Sequence, residues 1–160
     1  MNSRYKSGDY EARHTNPVWR SRANFIIVAD IAASGDKGEW EQLWARKLSD
    51  DRFEICCIPF FVYDLALGDE VETDSDGILR RVVKPSGHIT FRVWLGNSTD
   101  PSDRDRLMGV VRSLACEHEW SSENLLAIDA QTDNVAQRLA DSLSVLQQED
   151  RVTFEMGRTA

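Results

Sequence analysis

Residues 53–72 read Phe-Glu-Ile-Cys-Cys-Ile-Pro-Phe-Phe-Val-Tyr-Asp-Leu-Ala-Leu-Gly-Asp-Glu-Val-Glu. An apolar strand, a proline stop, a short connector and a Gly-Asp turn follow one another without a gap. Pro59 removes a ladder donor, so the first strand ends there or lies on a sheet edge. This grammar builds a small β-sheet body, and it contains no catalytic signature.

The flanking segments read as hairpins. Residues 41–48 mix polar and apolar positions and end in Ser49-Asp50-Asp51-Arg52, a turn cluster. Folding about that turn sets Leu48 opposite Phe53 and Lys47 opposite Glu54, one apolar and one opposite-charge pair. Further on, Asp76-Gly77 is a favoured two-residue turn because both positions tolerate positive φ. It sets Glu72 opposite Arg81, Val71 opposite Val82 and Asp69 opposite Lys84.

After residue 88 the period changes. Ile89, Phe91, Val93 and Leu95 alternate with His88, Thr90, Arg92 and Trp94, the pattern of a strand with two distinct faces. Asp100-Pro101 then starts a helix, with Asp100 as N-cap and Asp103 in the first turn. Leu107, Val110, Val111 and Leu114 form its apolar stripe. Residues 125–130 are a short apolar strand. Thr132-Asp133 opens a second helix with Val135, Leu139, Leu143 and Leu146 facing inward, and residues 151–156 alternate as a last strand. The order predicts an α+β fold: an antiparallel hairpin body followed by a βαβαβ unit, in a single domain over residues 23–157.

A chain of 160 residues suits one domain. No apolar run approaches the ~20 residues of a membrane span, and residues 1–22 are too polar for a secretory leader. The three cysteines cannot all pair, and two are adjacent. This usage points to a reducing cytoplasm rather than a stapled secreted scaffold.

Charge is uneven. The chain carries a net charge of −8, yet residues 1–22 hold five Lys/Arg against two Asp/Glu. The plain reading of this basic segment is a flexible N-terminal arm. The alternative is an arm that docks on an acidic partner or on its own body, which Trp19, followed by Arg20 and Arg22, makes conceivable. Within the acidic remainder, residues 77–99 lack Asp and Glu and hold Arg80, Arg81, Lys84, His88 and Arg92. His88, Thr90, Arg92 and Trp94, with Arg81 beside them, are therefore the candidate binding face. Such a face suits an anion, a stacked base or a peptide carboxylate. The bland account is that the basic residues pair with neighbouring acids and Trp94 is core. Nucleic acid is disfavoured as a partner, because the acidic body repels phosphate.

No residues stand out for catalysis, metal or cofactor binding. Cys56 and Cys57 would point to opposite faces of a strand and cannot chelate one ion. Cys116-Glu117-His118 suggests a nucleophile and base, but residues i and i+2 of a helix do not face each other. The expected role of His118 is to complement a helix C-terminus. His14, His88 and His118 have no ligand spacing, and no phosphate loop, dinucleotide fingerprint or nucleophile elbow is present. Trp40 and Trp44 read as core or interface anchors.

Four blocks occur in order: Glu41-Gln-Leu-Trp-Ala, Cys57-Ile-Pro-Phe-Phe, Leu67-Gly-Asp-Glu-Val-Glu and Ser86-Gly-His-Ile-Thr-Phe-Arg. The series resembles that of a bacterial family of unknown function whose members carry Leu-Trp-Ala, Pro-Phe-Phe, Gly-Asp-x-Val-Glu and Ser-Gly-His-x-Thr-x-Arg. The resemblance covers about residues 24–156 and implies a small, stand-alone bacterial cytoplasmic protein. It brings no activity, substrate or catalytic residue with it.

Two functional classes remain. The first is a non-enzymatic interaction protein that binds or regulates a partner protein, as immunity proteins do. The second is a small enzyme or small-molecule binder using a pocket near His88, Arg92 and a cysteine. A concave pocket there favours the second and a flat aromatic face the first.

Overall fold

The computed structural model describes residues 10–32, 38–98 and 100–158. The first layer is a sheet centred on β3 (Glu39–Lys47). Antiparallel β2 (Phe25–Asp30) lies along one side of it. On the other side β1 (Tyr10–Ala12) pairs in parallel with its first half, and β4 (Arg52–Ile55) pairs antiparallel with its end. β5 (Glu70–Thr73) and β6 (Leu79–Lys84) extend the sheet from β4. Its buried face carries Ile27, Leu43, Ala45, Phe53, Ile55 and Val71, and Val62 and Leu65 from the connection after β4 pack against it.

The second layer is an antiparallel sheet of β7 (Ile89–Trp94), β8 (Glu117–Trp120), β9 (Leu125–Ala130) and β10 (Thr153–Met156), in the order β10-β7-β9-β8. The helices α1 (Pro101–Ser113) and α2 (Asp133–Gln148) cover one face. The face is built as the alternation requires. Ile89, Phe91, Val93 and Leu95 meet Leu107, Val111, Leu139, Leu143 and Leu146. Both N-caps form as read: the Asp100 carboxylate accepts from Ser102 N–H at 2.9 Å and the Thr132 hydroxyl from Val135 N–H at 3.2 Å.

The α+β class holds, with one added strand. Residues 117–120, expected at a helix C-terminus, form β8 instead, so His118 sits opposite Ile128 on a strand. Ala115, at φ 52°, turns the chain out of α1. The unit is therefore βαββαβ, with the strand order of a ferredoxin-like fold.

Register differs from expectation at both hairpins, for local reasons. Leu48 N–H and Ser49 N–H both donate to Arg52 C=O, so the first loop is residues 49–51. Lys47 then faces Phe53 and Arg46 faces Glu54, one step from the expected pairing. The step keeps Phe53 and Ile55 inside and leaves Arg46 3.3 Å from Glu54 outside. In the second hairpin Glu72–Arg81 and Val71–Val82 pair as read, but Lys84 faces Glu70 rather than Asp69. Asp69 is buried and accepts from Ala66 N–H and Ser86 N–H. The turn spans residues 74–77. Gly77 N–H donates to Asp74 C=O, and the Asp74 carboxylate accepts from Asp76 and Ile78 N–H. Bulges on either side of the matched pairs absorb the offset.

Part of the expected flexible arm is built into the body. Residues 1–9 of it lie outside the described residues. Residues 10–12 are β1, His14 and Pro17 are buried, and Trp19 N–H donates to Cys56 C=O. A short parallel strand, the His14 imidazole, the Trp19 indole and the Arg22–Glu54 ion pair at 2.6 Å hold the segment on the body. No helix among the described residues is long and apolar enough to cross a membrane.

Gly77 tests the second hairpin. Its φ is +76°, and a Cβ there would meet nothing within 4 Å. Gly77→Val should therefore destabilise through backbone strain alone, by about 1 kcal/mol or more. An unchanged melting temperature would contradict the turn.

Candidate functional site

The segment of residues 56–68 lies between the two sheets, and a buried charged cluster holds it there. Glu41 sits at an inward position of β3, with Leu43 and Ala45. Its Oε1 accepts from Phe61 N–H at 2.9 Å and Val62 N–H at 3.1 Å. Its Oε2 accepts from Phe60 N–H at 2.8 Å and lies 2.7 Å from His14 Nε2. Glu119 of β8 places Oε1 2.8 Å from His14 Nδ1, and its Oε2 accepts from Ile58 N–H at 2.6 Å. The His14 ring also stacks on Phe60, with centroids 3.9 Å apart and an interplanar angle of 8°.

Each imidazole nitrogen faces an oxygen of a carboxylate that also accepts backbone N–H groups. Only the imidazolium can donate at both positions. Burial works against that charge, yet the His14 pKa is pushed up to about 12 by neighbouring Cys57, Glu119 and Glu41. Burial pushes the Cys57 thiol up in turn, against the pull of His14. The hydrogen bonds from Glu119 and Glu41 add to the upward shift of His14. Burial likewise raises Cys56, to about 11, and Cys116.

Two clefts flank the segment of residues 56–68. The larger, about 310 Å³, is lined by Phe60, Phe61, Tyr63, Arg92, Trp94, Leu125, Thr153, Phe154 and Glu155. Tyr63 (47% exposed) and Trp94 (46%) present their rings to solvent, whereas Arg92 is 5% exposed. The guanidinium lies over the Tyr63 ring at 4.8 Å, donates to Val62 C=O and stands 3.5 Å from Glu155. Tyr63 O–H donates to Glu155 at 2.8 Å, which raises the phenol pKa. Arg92 Nε is buried without a hydrogen-bond partner.

The second cleft, about 220 Å³, has His88, Thr90, Leu65, Val82, Pro85 and Ile89 in its lining, with Asp64, Asp69 and Arg158. His88 Nδ1 is 2.7 Å from Asp129 Oδ2. Trp19 approaches the imidazole edge-on at 6.1 Å and closes over Gly68, where an added Cβ would be 3.2 Å from the indole.

The structure thus divides the sequence candidates. Arg92 and Trp94 share one cleft, and His88 and Thr90 share the other. Arg81 lies on β6 of the other sheet, paired with Glu72 at 2.7 Å. Thr90 is buried and donates to Leu65 C=O. No cysteine lines either cleft. Sequence reasoning missed His14, Glu41, Glu119, Asp129, Tyr63 and Glu155. The available signals were a glutamate at an inward strand position, and Asp129 within the apolar run of residues 125–130. Among the described residues, no group of three or more His, Cys, Asp or Glu is arranged to hold a metal ion.

A split βαββαβ sheet packed on a six-stranded sheet, with a charged cluster sealing the seam, defines an α+β domain with two clefts beside the seam. Residues 41–154 match the model of a domain of unknown function, DUF4265, and the chain belongs to that family. The structure is similar to one described as a novel crystal structure of a hypothetical protein from Neisseria gonorrhoeae. The TM-score is 0.68 at 17% identity, over 84% of this chain and 96% of that one, a likeness of fold. No curated protein matches the sequence.

Two predictions follow from the cluster and the thiols. Removing the imidazole leaves two glutamates buried without their cation, so His14→Ala should cost about 3–5 kcal/mol in urea unfolding. Because the folded pKa of His14 lies above the ordinary imidazole value, its contribution is complete below about pH 6.5. It is lost progressively as pH rises towards the folded value of about 12. Wild-type protein should therefore lose stability between about pH 6.5 and 9, and Glu119→Gln should flatten that slope. A slope unaffected by Glu119→Gln would remove His14 as its source. For the thiols, Cys56, Cys57 and Cys116 are all buried and free. A disulfide-exchange reagent should titrate them only after denaturation; rapid reaction in the native state would contradict their burial.

Proposed function

We propose that this protein is a non-catalytic interaction module that holds a protein partner at the Arg92–Trp94 cleft. One observation carries the reading: exposed tyrosine and tryptophan rings wall a cleft whose floor is a fixed Arg92–Glu155–Tyr63 network. Interface hot spots are built in this way, from rigid aromatic anchors around a pocket that excludes water. The polar groups of the cleft are a permanent cation, a carboxylate bonded to it and a phenol whose pKa is raised. They suit orienting a bound side chain better than activating a nucleophile.

The partner segment is an apolar side chain flanked by basic residues. The anchor fills the aromatic cleft, where Arg92 and Glu155 offset each other's charge. The flanking cations meet a chain whose net charge is −8. Charge of that sign speeds encounter with a basic partner more than it tightens the final complex. Three buried free thiols suit a reducing compartment such as the cytoplasm.

The test is a peptide array followed by titration of the strongest sequence. Bound peptides should share an aromatic or aliphatic anchor with neighbouring Lys or Arg. Trp94→Ala should weaken binding by about 2 kcal/mol with the fold intact, since the ring is half-exposed. Raising salt should slow association more than it speeds dissociation. Selection of acidic peptides, or affinity unchanged by Trp94→Ala, would refute the assignment.

A further inference from the structure

The His88 cleft is a second, chemically different site. His88 Nδ1 meets Asp129, and no partner is seen for Nε2 among the described residues. Asp129 is fully buried, and its second oxygen, Oδ1, has no hydrogen-bond partner. An uncompensated buried carboxylate oxygen is costly, and native structures keep such groups where they orient something. Here the carboxylate accepts from Nδ1–H and orients the ring, so that Nε2 is the nitrogen left to meet a ligand. The ring is further held by the loop before β7. His88 N–H donates to Ser86 Oγ, Ser86 Oγ–H donates to Leu67 C=O, and Gly87 turns at φ +90°.

The surroundings select the ligand. Leu65, Val82, Pro85 and Ile89 give the cleft an apolar wall, and the buried Asp69 lines it as well. Behind the imidazole, Asp129 is flanked by Glu117 across the β8–β9 pairing. Burial, with Glu117 and Asp69 adding to it, raises the Asp129 pKa to about 6 against the pull of His88. So acidic a setting disfavours a ligand that arrives as an anion. A neutral molecule with a hydrogen-bond donor is favoured.

We propose that the His88 cleft binds a small neutral molecule with an apolar, ring-sized body and one hydroxyl, which donates to His88 Nε2. No bond is made or broken; Asp129 is a positioning residue that aims the acceptor nitrogen. The site is independent of the partner-binding cleft.

The experiment uses full-length protein labelled with ¹⁵N-histidine and two probes, phenol and its methyl ether anisole. Phenol should shift the His88 Nε2 resonance saturably and leave those of His14 and His118 unmoved. Anisole, which has the ring without the donor, should bind about tenfold more weakly, the loss of one hydrogen bond. Asp129→Asn should weaken phenol by a similar factor, whereas Trp94→Ala should leave the titration unchanged. Equal binding of phenol and anisole would overturn the proposal, as would no saturable shift at His88. So would loss of the shift in Trp94→Ala, which would place the probe in the other cleft. If Asp129→Asn fails to fold, the two probes on wild-type protein still decide.

Discussion

Burying a carboxylate between two sheets costs several kcal/mol unless its oxygens are satisfied and its charge is met. This fold buries two, Glu41 from the first sheet and Glu119 from the second, and places one imidazolium between them. The rest of the architecture follows from that arrangement. The two glutamates also accept the N–H groups of Ile58, Phe60, Phe61 and Val62, donors of a segment that has no strand partner of its own. Removing any one member therefore strands the others in a dry interior. Desolvation offsets much of the attraction within such a cluster, so its net contribution to stability is small even though breaking it is costly.

Connected in this way, residues 56–68 act as an interlayer that gives β7 its second buried face. Leu65 C=O takes the Thr90 hydroxyl, Val62 C=O takes Arg92, and Asp69 takes Ser86 N–H. The four sequence blocks that first suggested a family all meet here. Glu41 of the first holds Phe60 and Phe61 of the second, and Asp69 of the third holds Ser86 of the fourth. The blocks are the two halves of paired contacts across one seam.

This explains what was legible in the sequence and what was not. The alternation of residues 89–95 and the capped helix starts are local signals, and both recur in the structure. A bulge or a loop shortened by one residue is decided by which register buries Phe53 or frees Asp69, and that depends on the opposite layer. The candidate face suffered most. Alternation correctly put His88, Thr90, Arg92 and Trp94 on one side of β7, but a strand pattern does not say whether that side meets water or a second layer. His14 was hidden for a related reason: its partners lie 27 and 105 residues away, beyond any local pattern.

The two clefts are neighbours along one seam. β7 contributes Arg92 and Trp94 to one and His88 and Thr90 to the other, and the chain after β10 adds Gly157 and Arg158 to the second. What separates them is the turn at Asp64, held at φ 59° while its N–H donates to Gly157 C=O at 2.7 Å. A non-glycine residue in that conformation is strained and persists only where its surroundings over-determine it. Tyr63 and Leu65, on either side of the turn, supply a wall to each cleft. The same backbone bond that closes the interlayer against β10 thus divides one groove in two, giving an aromatic cleft with a salt-bridged floor and a smaller apolar one ending in an oriented imidazole.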